Sequence, residues 1–75
     1  PERYILSPNP VRNNFTISNA ETVIKVLLID ALGRELDLRK IAGSYNVEHL
    51  RHGVYTLLIT DKCGKATTQR LMVVN

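Results

Sequence analysis

Three side chains in this sequence have the chemistry for nucleophilic catalysis or metal binding: Cys63, His49 and His52. Cys63 stands between Lys62 and Lys65 in a predicted turn. A cysteine nucleophile needs a base within hydrogen-bond reach and a third group that orients the base. The histidines fall in a different predicted loop, and so small a domain has little room for a concave active site. The sequence therefore favours an exposed turn cysteine over a Cys/His catalytic pair.

The two histidines also suggest a metal site, because ligands three residues apart share one face if their loop is helical. Cys63 would then be the third ligand, but structural zinc sites normally have four protein ligands. Two surface histidines in a connecting loop are the simpler interpretation. The glycines lie ten or eleven residues apart, one in each predicted turn, and form no phosphate-binding loop. We therefore expect no catalytic residue, no metal and no cofactor.

Length and composition indicate one small globular domain. The chain has 75 residues, of which 44% are hydrophobic and 23% charged. A chain of this length buries only roughly 60% of its unfolded surface, so its stability is marginal. One cysteine excludes an internal disulfide framework, and no apolar run approaches the ~20 residues that span a bilayer. The first residue is Pro1 and no signal peptide is visible, so we expect residues 1–75 to be one module of a longer protein.

Short apolar segments separated by turn residues predict an all-β fold. Turn signals recur every 8–12 residues, which is typical of a sandwich or barrel. No segment of helical length carries an apolar stripe with a 3.6-residue period. We predict an immunoglobulin-like sandwich of about seven short antiparallel strands. The predicted strands cover residues 4–7, 13–18, 23–30, 35–39, a short stretch around 45–47, a run that begins at 53, and 66–74.

Side-chain alternation assigns the faces of these strands. Residues 35–39 alternate, with Leu36 and Leu38 predicted to point inward and to pair as one strand with residues 23–30. Tyr45 and Tyr55 also occupy core positions in their strands. Nucleic-acid binding needs exposed aromatic residues interleaved with cations, so we expect no nucleic-acid partner.

The net charge of +3 is concentrated at the end of the chain. Residues 1–61 carry equal numbers of cations and acids, whereas residues 62–75 carry Lys62, Lys65 and Arg70 and no acid. A basic end can steer docking onto an acidic partner. Chance absence of an acid from fourteen residues is an equally good explanation.

Three short motifs occur in a fixed order. They are Pro8-Asn9-Pro10, Leu32-Gly33-Arg34 and Leu50-x-x-Gly53-Val54-Tyr55. With these motifs and their spacing, the chain resembles the C-terminal sorting domain of the type IX secretion system of Bacteroidota. The resemblance covers nearly the whole chain. It departs from the family at Ser7, where an aromatic residue is usual, and in the final strand, where many members have lysines.

The resemblance implies a targeting module with no catalytic activity. In this family the domain follows a passenger protein that first reaches the periplasm, and an outer-membrane translocon and its barrel shuttle protein recognise the domain. A sortase-like cysteine peptidase then usually removes it and joins the passenger to lipopolysaccharide. The passenger is left at the outer membrane or cell surface, or is secreted.

The sequence predicts separate roles for the tail and the motifs. We expect docking on the translocon to be carried by the segment from Lys65 to Asn75, with these contact residues: Lys65, Arg70, Leu71, Met72, Val73, Val74 and Asn75. We expect the motif residues to shape the sandwich instead: Pro8, Asn9, Pro10, Leu32, Gly33, Arg34, Gly53, Val54 and Tyr55.

Two other interpretations of the same sequence stay open. A passive immunoglobulin-like accessory domain for adhesion or carbohydrate contact would expose aromatic residues on one face or loop. A module that forms homodimers through an edge strand is compatible with a sorting role.

Overall fold

Eight β-strands and one short 3₁₀ turn make up the ordered elements of residues 4–74, the part of the chain that the computed structural model describes. All but one of the predicted strands appear within one or two residues of their predicted bounds. The strands are β1 Leu6–Ser7, β2 Asn14–Ile17, β3 Val23–Ile29, β4 Glu35–Leu36, β5 Arg39–Ile41, β6 Ser44–Asn46, β7 Gly53–Asp61 and β8 Ala66–Val73, and the 3₁₀ turn is Ala20–Thr22.

The strands form two antiparallel four-stranded sheets. One sheet has the order β1-β2-β6-β5 and the other has the order β4-β3-β7-β8. The nine-residue strand β7 lies at the centre of the second sheet, where it pairs with β3 on one side and β8 on the other. The predicted all-β sandwich is confirmed. No helix within residues 4–74 is long and apolar enough to cross a membrane.

The core lies between the two sheets and is built by strands whose buried residues alternate with exposed ones. β2 contributes Phe15 and Ile17, and β7 contributes every second residue from Tyr55 to Ile59. Phe15 stacks on Tyr45 of the neighbouring strand β6, with ring centroids 5.4 Å apart. Burying one such side chain stabilises the fold by about 1.5–3 kcal/mol.

The prediction of one strand over residues 35–39 is wrong. Glu35–Leu36 pairs with β3 in one sheet, whereas Arg39–Ile41 pairs with β6 in the other. Residues 37 and 38 cross between the sheets. Leu36 and Leu38 still pack against the core, as predicted. Alternation of apolar and polar residues cannot detect the crossing. Leu36 before it and Leu38 within it are both half-buried, as they would be in one continuous strand.

The strand missed by the prediction, β5, is held by a two-residue hairpin. Ala42 and Gly43 both have positive φ values, 51° and 86°. Positive φ at both central residues is the geometry whose twist matches a β-hairpin. All three residues of β5 are exposed, and its sequence shows no alternation of apolar and polar residues that would predict a strand.

The two hairpins of the second sheet, β3–β4 and β7–β8, have the same turn structure. In each, an aspartate Oδ1 accepts N–H bonds from residues two and four positions later: Leu32 and Arg34 bond to Asp30, and Cys63 and Lys65 bond to Asp61. A glycine follows three residues after each aspartate, with φ values of 83° at Gly33 and 86° at Gly64. The pattern Asp-x-x-Gly-Arg/Lys therefore closes both the β3–β4 and the β7–β8 hairpins.

Candidate docking surface on the last strand

The last strand, β8, lies at the edge of its sheet and alternates between core and solvent. Leu71 and Val73 are fully buried, whereas Arg70 and Met72 are exposed. The predicted docking residues therefore divide into two groups. The side chains of Arg70 and Met72 are available to a partner, and those of Leu71 and Val73 belong to the core.

The remaining predicted docking residues flank this strand. Lys65 is exposed in the β7–β8 turn, where its backbone N–H donates to Asp61. Val74 is half-buried, and its N–H donates to the carbonyl of Val11 at 2.9 Å. Asn75 lies outside the described residues.

The Pro8-Asn9-Pro10 segment covers the outer edge of β8. The amide Nδ2 of Asn9 donates to the carbonyl of Arg70 at 2.9 Å, and its Oδ1 accepts the N–H of Met72 at 3.0 Å. A side-chain amide offers one acceptor and donors in the same way as a peptide group. Asn9 thus takes the place of a neighbouring strand, with a sequence separation of more than sixty residues.

Val11 continues this pairing along the same edge. Its N–H donates to the carbonyl of Met72 at 2.8 Å, and its carbonyl accepts from Val74. Val11 is itself fully buried. The first motif and Val11 therefore join the segment that follows β1 to residues 70–74 of the last strand and its end.

The second motif forms the turn between β3 and β4. The Arg34 Nε donates to Asp30 Oδ2 at 2.8 Å, in addition to the two backbone N–H bonds at Oδ1. The hydrogen bond from the Arg34 backbone N–H is the largest cause that lowers the pKa of Asp30 below its ordinary value, and the Arg34 guanidinium and the Leu32 N–H lower it further. Leu32 at the tip of the turn is 78% exposed. Gly33 and Arg34 thus stabilise the turn, and Leu32 contributes its backbone N–H while its side chain stays exposed.

The lowered pKa of Asp30 predicts a pH dependence of folding stability. A folded-state pKa below the unfolded value gives stability that is present above about pH 4 and is lost as the pH falls through the folded pKa. We expect the unfolding temperature of the natural chain to fall between pH 5 and pH 2 by more than that of Asp30→Asn. Thermal melts across this range measure the difference. Asp37→Asn, a neighbouring exposed aspartate, is the control, and an identical profile for natural and Asp30→Asn chains would contradict the prediction.

The third motif anchors the start of β7. The Tyr55 hydroxyl donates to the carbonyl of Arg51 at 2.7 Å, which holds the preceding loop against the sheet. Val54 is partly exposed and pairs with Met72 on the outer face of the sheet. Tyr55 therefore fixes the loop before β7, and Val54 contributes to the exposed face beside the last strand.

The structure separates the residues with catalytic chemistry. His52 immediately precedes β7 and Cys63 lies in the turn that follows it. Nine extended residues span on the order of 30 Å, so the thiol and this imidazole are at opposite ends of the sandwich. Residues 4–74 contain no group of three or more metal-ligating side chains.

The four aromatic residues of the chain are all buried: Tyr4, Phe15, Tyr45 and Tyr55. Burial raises the pKa of Tyr45 above its ordinary value, and the Lys40 Nζ lies 5.6 Å from the centre of its ring. An aromatic surface for carbohydrate contact or base stacking needs exposed rings. None of these four rings is exposed for such a contact.

Comparison with protein families gives a match over residues 6–74 to the secretion system C-terminal sorting domain, the sorting signal of type IX secretion. The chain belongs to this family. A comparison with curated proteins found no match. Membership of a sorting-domain family implies export across the envelope and contact with the type IX machinery and a passenger protein. In this sorting domain, the first family motif is the segment that covers the last strand.

Two features of the sorting domain escaped the sequence analysis. The Asn9 contact with β8 joins residues too far apart in the chain for local patterns to reveal, although a polar residue held between two prolines was visible. The second feature is the repeated turn. Asp30-x-x-Gly33-Arg34 and Asp61-x-x-Gly64-Lys65 share a spacing that a search for short internal repeats would have detected.

Proposed function

We propose that this domain is a non-enzymatic signal that directs a passenger protein, joined ahead of residue 1, through the type IX translocon. The passenger first enters the periplasm and then crosses the outer membrane. The translocon and its barrel shuttle protein bind the domain, and a sortase-like cysteine peptidase then removes it. The passenger remains at the outer membrane or cell surface, or is secreted. The observation that carries the proposal is the family match over residues 6–74.

The charge distribution supports the last hairpin as the docking element. Lys62, Lys65 and Arg70 provide the whole excess of positive charge, and all three are exposed. An exposed basic surface attracts acidic partners over distances comparable to a Debye length, about 8 Å at physiological salt. The turn at Asp61 fixes the backbone that carries Lys65, so this charge is presented on a rigid support.

A reporter assay tests the sorting role. We expect a fluorescent reporter with an N-terminal export signal to reach the surface of a Bacteroidota cell only when residues 1–75 are fused to its C-terminus. The same fusion should remain in the periplasm of a strain that lacks the type IX translocon. A reporter without the domain is the control. Delivery that does not depend on the translocon, or no delivery of the intact fusion, would overturn the proposal.

A further inference from the structure

Among residues 4–74, the contacts that cover the outer edge of β8 extend along only half of its length. Asn9 and Val11 bond to backbone groups of residues 70–74. Before Arg70, no strand among residues 4–74 pairs with β8 on this side, because β8 is the last strand in its sheet. The covering segment therefore ends part-way along the strand.

The uncovered part presents backbone hydrogen-bonding groups in a regular row. In an antiparallel strand, the N–H and C=O groups of every second residue point to the same side. Both groups of Met72 face the covering segment, so the same groups of Thr68 and Ala66 also point away from β7. These groups and the N–H of Arg70 have no hydrogen-bond partner among residues 4–74. We call this row, from Ala66 to Arg70, the open edge.

We propose that the open edge binds an extended, acidic segment of a partner protein, which adds a strand to the sheet. The inference deepens the proposed sorting function and rests on it for the partner's location, since it names the surface and the chemistry of docking. Strand addition obtains affinity from main-chain hydrogen bonds and specificity from alternate side chains. Natural proteins usually cover or guard an edge strand, and here the covering stops at Arg70.

Charge favours an acidic partner over a second copy of this chain. Lys65 and Arg70 flank the open edge, and Lys62 lies in the adjoining turn. Asp61, the acid nearest to these cations in the sequence, already accepts two backbone N–H bonds. Two copies paired antiparallel about Thr68 would place Lys65 of each copy beside Arg70 of the other, and like charges that adjoin across a strand pair repel each other. An acidic strand would instead neutralise them.

The surface on the inner side of the open edge predicts which residues alternate with the acidic residues of the partner segment. Between β1 and β8 lies a surface groove of about 370 Å³ lined by Tyr4, Ile5, Leu6, Asn9 and Gln69. Ile5 is 60% exposed at this groove. The side chains of an added strand alternate between the two faces of the sheet, so those on the inner face would lie at this groove, where Ile5 offers an exposed apolar side chain. The partner segment should therefore alternate acidic and apolar residues.

A proline at position 68 tests the proposal with little change to the fold. The N–H of Thr68 points away from β7, so Thr68→Pro removes no bond of the β7–β8 ladder, and proline is accepted on an edge strand at such a position. The proline ring would block an added strand. Thr68→Ala keeps the N–H and is the matched control. Lys65→Glu/Arg70→Glu is a second test variant that leaves every backbone group in place, and Lys25→Glu, on β3 of the same sheet, is its control.

Peptide binding to the 75-residue chain measures the effect directly. The probe is a capped hexapeptide of alternating Glu and Val, and the control peptide has Lys in place of Glu. We expect the acidic peptide to shift the amide NMR signals of Ala66 and Arg70 saturably in the natural chain and in Thr68→Ala. This binding should be lost in Thr68→Pro and in the double charge reversal. Equal binding to Thr68→Pro, or equal binding of the Lys peptide, would overturn the proposal, as would a natural chain that is a dimer by light scattering and a monomer as Thr68→Pro.

Reporter delivery separates this inference from the sorting role itself. We expect the Thr68→Ala and Lys25→Glu fusions to reach the cell surface, and the Thr68→Pro and double-reversal fusions to stay in the periplasm. If the natural fusion is not delivered, the sorting function is wrong. If the natural fusion and both test variants are delivered equally, the sorting function stands and the open edge is not its docking site. In that case Lys65 and Arg70 serve only to guard an exposed strand.

Discussion

Replacing Asn9 with alanine is expected to destabilise the domain by about 1–3 kcal/mol, because it removes two hydrogen bonds between the first motif and the last strand. The carbonyl of Arg70 and the N–H of Met72 lose their partners together. For a domain of this size, each kcal/mol lowers the unfolding temperature by roughly 4–8 °C. Thermal and urea unfolding of the 75-residue chain measure the loss, and hydrogen exchange at the Met72 amide locates it.

Two further variants show whether Asn9 acts as a surrogate strand. Asn9→Asp keeps the acceptor for Met72 but places a carboxylate oxygen against the carbonyl of Arg70, so it should destabilise the domain at least as much as Asn9→Ala. Asn13→Ala is the matched control, since Asn13 is exposed and its side chain makes no hydrogen bond to residues 4–74. Equal stability of Asn9→Ala and Asn13→Ala would show that the contact contributes nothing.

The sequence is enough to predict the sandwich because several of its strands carry clear local patterns. β2, β7 and β8 alternate between buried and exposed residues along most of their length. The turns at Gly33 and Gly64 can also be predicted, since each needs a residue with positive φ, which glycine adopts readily. The strand prediction failed at β5, whose three exposed residues show no alternation of apolar and polar side chains. It also failed at residues 37–38, where the chain passes from one sheet to the other.

The proposed docking surface could be predicted only in part, because a count of charges does not show which side chains are buried. The count of charges led to the proposal of the last hairpin, and Lys65 and Arg70 are exposed in the structure. Composition could not divide the tail into Leu71 and Val73, which complete the core, and the exposed residues beside them. Nor could it show that Asn9 covers one half of the last strand, while the other half has no partner among residues 4–74. That arrangement depends on long-range pairing, which local propensity does not encode.

Deleting residues 70–75 is expected to unfold the domain. The deletion removes Leu71 and Val73, both fully buried, together with the strand partners of residues 53–56 in β7. Each buried side chain contributes about 1.5–3 kcal/mol, and Asn9 and Val11 lose their partners as well. At roughly 0.05–0.15 kcal/mol per residue, a chain of this length has a total stability of about 4–11 kcal/mol. Circular dichroism and thermal melts should show no cooperative transition.

A surface variant of the same segment separates docking from folding. Arg70→Ala/Met72→Ala changes only exposed side chains and leaves both backbone bonds to Asn9 in place, so its stability should stay within about 0.5 kcal/mol per substitution of the natural chain. A truncated chain that still melts cooperatively near the natural temperature would show that residues 70–75 are not part of the core. If truncation unfolds the domain, failed delivery of a truncated fusion reports only a lost fold. Delivery of the folded double variant then measures what the exposed side chains of the last strand contribute to recognition.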